Sequence, residues 1–115
     1  MNRGEIWRVN FDPTVGAEIK KTRPAVIISS DYIRALPIRI IVPITEWKEH
    51  YQNAEWKVKF RSTDSNGLTK TSCADCFQVR SMSTQRFISK IGELKSSELD
   101  EITQGIGFVI EIPEE

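Results

Sequence analysis

The 115 residues suffice for one domain with a modest core and leave no room for two. Sixteen Lys and Arg balance sixteen Asp and Glu, which excludes a protein that coats nucleic acid through a global positive field, so any polyanion site is local. No apolar run approaches the roughly 20 residues that span a bilayer, and Met1-Asn2-Arg3-Gly4-Glu5 carries no signal-peptide core, so a cytoplasmic protein without membrane contact is expected.

From Glu5 to Phe11, Trp7, Val9 and Phe11 fall on one face of an extended segment, the period-two pattern of a half-buried strand. Asp12-Pro13-Thr14 ends it, and the polar stretch through Thr22, with Gly16 inside, predicts a long mobile loop of the kind that carries function. Pro24 opens Ala25-Val26-Ile27-Ile28, an apolar run with strong β preference, and Ser29-Ser30-Asp31 is placed to cap a helical turn through Leu36. A second branched run, Ile38 to Val42, is expected to end at Pro43 and to pair with the preceding strand in the core. Thr45 to Asn53 reads as another polar loop, after which Glu55 to Phe60 alternates with Trp56, Val58 and Phe60 inward.

Asp64-Ser65-Asn66-Gly67 holds the Asn-Gly dipeptide favoured where φ must be positive, and predicts a hairpin into a strand from about Thr69 to Val79. Past Ser83 a helical turn through Phe87 and a brief strand near Ser89 to Ile91 are expected. Ser96-Ser97 precede Leu99, Ile102, Ile106 and Val109, spaced as one face of a helix with a serine cap, which Gly105 and Gly107 weaken locally. Five or six short strands and one helix predict a mainly β, strongly bent, barrel-like sheet, with Glu111, Glu114 and Glu115 as a solvated acidic tail.

Cys73 and Cys76 form the only cysteine pair and His50 is the only histidine, so one chain cannot supply the roughly four ligands of a zinc site. A redox C-x-x-C would open a helix after a strand, whereas this pair falls in a strand-like stretch; two small buried side chains are expected. His50 lies in a polar loop without a partner motif and is expected to be exposed and non-catalytic.

Two motifs carry chemistry. Lys20-Lys21-Thr22-Arg23-Pro24 and Val42-Pro43-Ile44-Thr45 set a guanidinium and a hydroxyl at the edges of two apolar strands, which suits handling a phosphodiester without a metal. The basic residues also lean to this half, ten against seven acidic through Phe60 and six against nine beyond it. On the residues alone a second reading stands beside this one: an arginine exposed at a strand start and an ordinary threonine.

Arg3-Gly4-Glu5-Ile6-Trp7, Asp12-Pro13-Thr14-Val15-Gly16, Lys21-Thr22-Arg23-Pro24-Ala25-Val26-Ile27-Ile28-Ser29, Val42-Pro43-Ile44-Thr45 and Gln78-Val79-Arg80 come in an order and spacing that resembles the MazF/PemK family of toxin endoribonucleases over nearly the whole chain. The resemblance implies a single toxin domain over residues 1–115 with an SH3-like β-barrel, working as a homodimer and silenced by a cognate antitoxin. It further implies ribosome-independent, sequence-specific cleavage of single-stranded RNA, such as mRNA, with neither metal nor organic cofactor, through 2'-hydroxyl attack that leaves a 2',3'-cyclic phosphate.

In that family the arginine of T-R-P and the threonine of P-I-T are the catalytic pair, here Arg23 and Thr45. A planar guanidinium suits charge stabilisation on phosphate oxygens, and a branched hydroxyl side chain with few rotamers suits positioning and proton relay. Glu18, Lys20, Lys21 and Thr22 belong to the loop that borders the RNA groove in the family, and Gln78 and Arg80, taken as two apart on one strand face, are expected to meet bases or brace the site. The position before that glutamine is often acidic in the family; here it is Phe77, which leaves the general base unassigned, with Asp75, two residues earlier on the same predicted strand, as a candidate proton acceptor. Phe77 and Trp47 are candidates for base stacking, with burial against the sheet the competing expectation for Trp47. Fold alone does not separate this nuclease from a non-catalytic binding module or a gyrase-poisoning toxin of the same fold.

Overall fold

Runs of β-branched and aromatic residues become seven strands, β1 (Glu5–Asn10), β2 (Thr22–Ile27), β3 (Ile38–Glu46), β4 (Lys57–Phe60), β5 (Ser72–Asp75), β6 (Arg80–Ser83) and β7 (Phe87–Glu93), followed by one helix, α1 (Ser96–Ile110). This is a computed structural model that describes residues 1–113; Glu111 is exposed, while Glu114 and Glu115 of the expected tail lie outside the described residues. Every strand pair is antiparallel. The sheet runs β4-β5-β3-β2-β1-β7, with β6 joined to β3 off that path. The mainly β expectation holds, but no pairing joins the outer strands β4 and β7 among the described residues, so the sheet is open rather than a hydrogen-bonded closed barrel. No helix of the described residues is long and apolar enough to cross a membrane.

Strand β1 serves two cores. Its side chains keep the period-two alternation despite register shifts against β7 between Ile6 and Trp7 and between Arg8 and Val9. Ile6 therefore joins one buried cluster with Val42, Ile44, Val58, Phe60 and Ile102, while Val9 and Phe11 join another with Ile27, Ile41 and Met82.

Strand β3 does not end at Pro43 as expected; it continues through Thr45 to Glu46. It pairs with β6 over Ile38–Ile41 and with β5 over Ile44–Glu46, so on that edge nothing is registered opposite Val42 and Pro43. A residue without an N–H is tolerated where the ladder changes partner. The strand expected over 69–79 is also divided: Cys76–Gln78 forms a 3₁₀ turn, with the Asp75 carboxylate accepting from the Phe77 N–H at 3.2 Å, and β6 then begins. Asp75 and Phe77, like Gln78 and Arg80, therefore do not share the face of one strand.

The turn before β5 is held by buried Asn66, whose Oδ1 accepts from the Thr63 and Leu68 N–H groups at 3.0 Å and whose Nδ2 donates to the Arg61 carbonyl at 2.8 Å. Gly67 follows with φ +67°, packed so tightly that a Cβ there would sit 2.2 Å from the Ile91 carbonyl oxygen of β7. The early helical turn spans Asp31–Ile33, short of Leu36, with Ser30 accepting from the Tyr32 N–H at 3.2 Å. Helix α1 is not capped by serine: the Glu98 carboxylate accepts from the Lys95 N–H at 2.9 Å. Its Leu99, Ile102 and Ile106 cover Val58 and Cys76, and Gly105 admits Cys76, whose Sγ would lie 2.8 Å from an added Cβ.

Candidate active site

The strand register explains why the T-R-P and P-I-T motifs belong together. Strands β2 and β3 pair through Val26 with Val42 and Ala25 with Pro43, and continuing that register by two residues brings Arg23 opposite Thr45. The pairing stops before they meet. Strand β2 stays with β1 as far as Thr22 opposite Asn10, while β3 turns to β5, placing Thr45 opposite Cys73. The parted strand ends open a cavity of about 350 Å³, lined on one side by Thr22, Arg23 and Pro24 and on the other by Ile44, Thr45 and Glu46. The segment 67–70 that follows the Asn66 turn supplies a further wall.

Arg23 is exposed, and its Nε donates to the Lys20 carbonyl at 3.4 Å, which leaves the terminal nitrogens of the fork for a ligand. Thr45 is half-buried, with Oγ1 3.7 Å from the Cys73 Sγ. Arg8, facing out of β1 opposite Pro24, and Lys70 line the same cavity, so among the described residues three cationic side chains stand against the single carboxylate of Glu46, in a chain of zero net charge. This is the local positive site that a neutral composition requires of a polyanion binder. Arg8, Glu46, Lys70 and Ser72 were not singled out by sequence patterns; Glu46 had only its place beside Thr45 to signal it.

The model of the family described as PemK-like, MazF-like toxin of type II toxin-antitoxin system matches residues 2–110. The chain belongs to this family. A Mycobacterium tuberculosis (strain ATCC 25618 / H37Rv) relative named Endoribonuclease MazF9 is 31% identical over 121 residues, covering 97% of this chain and 98% of that protein. Endoribonuclease PemK of Escherichia coli is 35% identical over 83 residues, covering 71% of this chain and 60% of that one. The fold is that of MazF from Deinococcus radiodurans, with a TM-score of 0.80 at 20% identity over 97% of both chains. It is also that of an endoribonuclease from a mycobacterial species solved in complex with its cognate antitoxin, with a TM-score of 0.78 at 15% identity over 100% of this chain and 99% of that one.

Of the candidate site residues, Thr22, Arg23 and Thr45 line the cavity, whereas Glu18, Lys20, Lys21, Trp47, Asp75, Phe77, Gln78 and Arg80 do not. Gln78 braces the first long loop: its Oε1 accepts from the Ile19 N–H at 2.6 Å and its Nε2 donates to the Ala17 carbonyl at 3.2 Å. Within that loop Glu18 accepts from the Val15 N–H at 2.6 Å, and the Lys21 N–H donates to the Asp12 carboxylate at 3.0 Å. The Lys20 side chain is exposed, and Arg80 begins β6 opposite Ile41. Asp75 is buried, with one oxygen accepting from Lys57 at 3.3 Å and the other from the Phe77 N–H. Trp47 meets Tyr51 edge-on at 5.8 Å beneath the Lys59 ammonium, and exposed Phe77 lies against Trp56. His50 is exposed and outside the cavity, as its sequence context suggested.

Both cysteines of this MazF/PemK-family chain are free and buried. Burial is the largest influence on each thiol, raising Cys73 and pushing Cys76 up to about 12, with the Asp75 carboxylate adding to the effect. A thiol that keeps its proton is neither a nucleophile nor a metal ligand, but the Cys73 S–H can donate to Thr45 Oγ1 and leave the threonine hydroxyl proton for a substrate. Neither cysteine is expected to react with an aromatic disulfide reagent until the chain is unfolded; titration by that reagent in native buffer would contradict this. The raised Cys76 also has a stability consequence. Above about pH 8.5 an unfolded cysteine loses its proton while the folded one keeps it, so stability is full below that pH and falls as pH rises toward about 12. Urea midpoints measured from pH 8 to 10.5 should decline more steeply in the wild type than in Cys76→Ala.

Proposed function

We propose that the chain is the toxin of a type II toxin-antitoxin system, an endoribonuclease that cuts single-stranded RNA at the cavity between β2 and β3. The observation that carries this reading is the convergence of Arg23 and Thr45 on one cavity that Arg8 and Lys70 also line. A phosphodiester seated there presents its non-bridging oxygens to the Arg23 fork, which makes paired charge-assisted bonds that strengthen as negative charge builds on phosphorus. The Thr45 hydroxyl donates to one of those oxygens and fixes the phosphate for in-line attack by the neighbouring 2'-hydroxyl. That chemistry yields a 2',3'-cyclic phosphate and needs no metal ion. Arg8 and the loop lysines Lys20 and Lys21 hold flanking phosphates and set affinity rather than sequence.

The relatives named as endoribonucleases and the antitoxin complex of a structural neighbour support the same role, with an antitoxin protein as the partner that silences the chain in the cytoplasm. Exposed Phe108, Ile110 and Ile112 support a homodimer. Incubating pure protein with a long single-stranded RNA in EDTA and mapping the new 5' ends tests the reading. Discrete cuts are expected. Intact RNA together with a loss of DNA gyrase supercoiling would favour the gyrase-poisoning alternative instead.

A further inference from the structure

We propose that Glu46 and Lys70 are the proton acceptor and proton donor of the cleavage step, an assignment that rests on the nuclease reading above. Such a step needs a group to take the 2'-hydroxyl proton and another to protonate the leaving 5'-oxygen, and neither Arg23 nor Thr45 is suited to be a base. Glu46 is the one carboxylate lining the cavity among the described residues. The other carboxylates near the bordering loops are engaged: Asp12 by Lys21, Glu18 by Val15, and Asp75 by Lys57 and Phe77. Lys70 lines the same cavity, its Nζ 3.6 Å from Glu46 Oε2, and both side chains are more than half exposed, free to swing toward a bound phosphodiester.

The proton balance closes on this pair. Glu46 takes the 2'-hydroxyl proton as the 2'-oxygen bonds to phosphorus. The bond from phosphorus to the 5'-oxygen breaks, its electron pair stays on that oxygen, and the Lys70 ammonium supplies its proton. The products are a 2',3'-cyclic phosphate and a 5'-hydroxyl. Passing a proton from Glu46 to Lys70 restores the starting charges, with no change of oxidation state and no co-reactant.

The test is single-turnover cleavage from pH 5 to 10 by wild type, Glu46→Gln and Lys70→Met, on ordinary RNA and on RNA with sulfur in place of the bridging 5'-oxygen at the cut site. A thiolate leaves without being protonated. Each variant should slow on ordinary RNA by about 100-fold or more, and Glu46→Gln should lose the acidic limb of the profile. Lys70→Met should return to near wild-type rate on the sulfur substrate, whereas Glu46→Gln should stay slow. Wild-type rate in either variant overturns the assignment, as does an unchanged acidic limb in Glu46→Gln or an unrescued Lys70→Met. A wild-type protein that cuts neither substrate overturns the proposed function itself, a failure distinguishable from the others.

Discussion

Arg23→Ala is expected to cut RNA about 100- to 1,000-fold more slowly than wild type, the usual cost of removing a preorganised donor aimed at developing charge. The fold should survive the change. Arg23 is exposed at the end of β2, past the last residue that pairs with β3, and among the described residues its side chain makes only the long 3.4 Å bond to Lys20. Unaltered circular dichroism and urea midpoint beside a collapsed single-turnover rate would therefore locate the loss in the chemistry. Arg23→Lys should recover little, because an ammonium keeps the charge but not the planar fork that grips two oxygens at once. Full turnover by a folded Arg23→Ala protein would remove this residue from the mechanism.

The second large effect is on stability and comes from Gly67→Ala. Gly67 has φ +67°, a region in which a side chain costs about 1–2 kcal/mol. An added Cβ would also stand 2.2 Å from the Ile91 carbonyl oxygen and 3.0 Å from its carbonyl carbon, both backbone atoms of β7. Relief requires moving a strand or a turn, an overpacking cost of about 1–3 kcal/mol. The total, about 2–5 kcal/mol, is a large part of the roughly 5–15 kcal/mol that holds a domain of this size together. Gly92 makes the reciprocal contact: a Cβ there would lie 2.4 Å from the Asn66 carbonyl carbon. The turn is thus pressed against β7 from both sides, and it leads directly into Lys70 at the cavity wall. Urea unfolding of Gly67→Ala should show a much lower midpoint; an unchanged one would mean that the turn does not press on Ile91.

Much of the site was legible because the strands that carry it are local apolar runs ended by motif residues. Ala25 to Ile28 and Ile38 to Val42 announce two strands, and the residues at their ends, Arg23 and Thr45, are those that the cavity brings together. Most of what escaped is non-local. The passage of β3 through Pro43 depends on a change of partner from β6 to β5, which no window around Pro43 records. The break at Cys76 depends on Asp75 capping a 3₁₀ turn inside a stretch that otherwise reads as strand. Gln78 was marked by its motif, but the loop that it braces lies 59 residues earlier in the chain, a partner that the motif does not specify. Lys70 meets Glu46 only because β5 pairs back onto β3.

The most direct measurement compares a short oligoribonucleotide that the protein cuts with the same oligonucleotide carrying a single 2'-deoxy sugar on the 5' side of the cut, both in EDTA, with products weighed by mass spectrometry. Attack by the 2'-hydroxyl at the Arg23 and Thr45 cavity predicts cleavage of the first to a 2',3'-cyclic phosphate and none of the second. Cleavage of the deoxy-substituted strand at a similar rate, or a product bearing a 5'-phosphate, would contradict it.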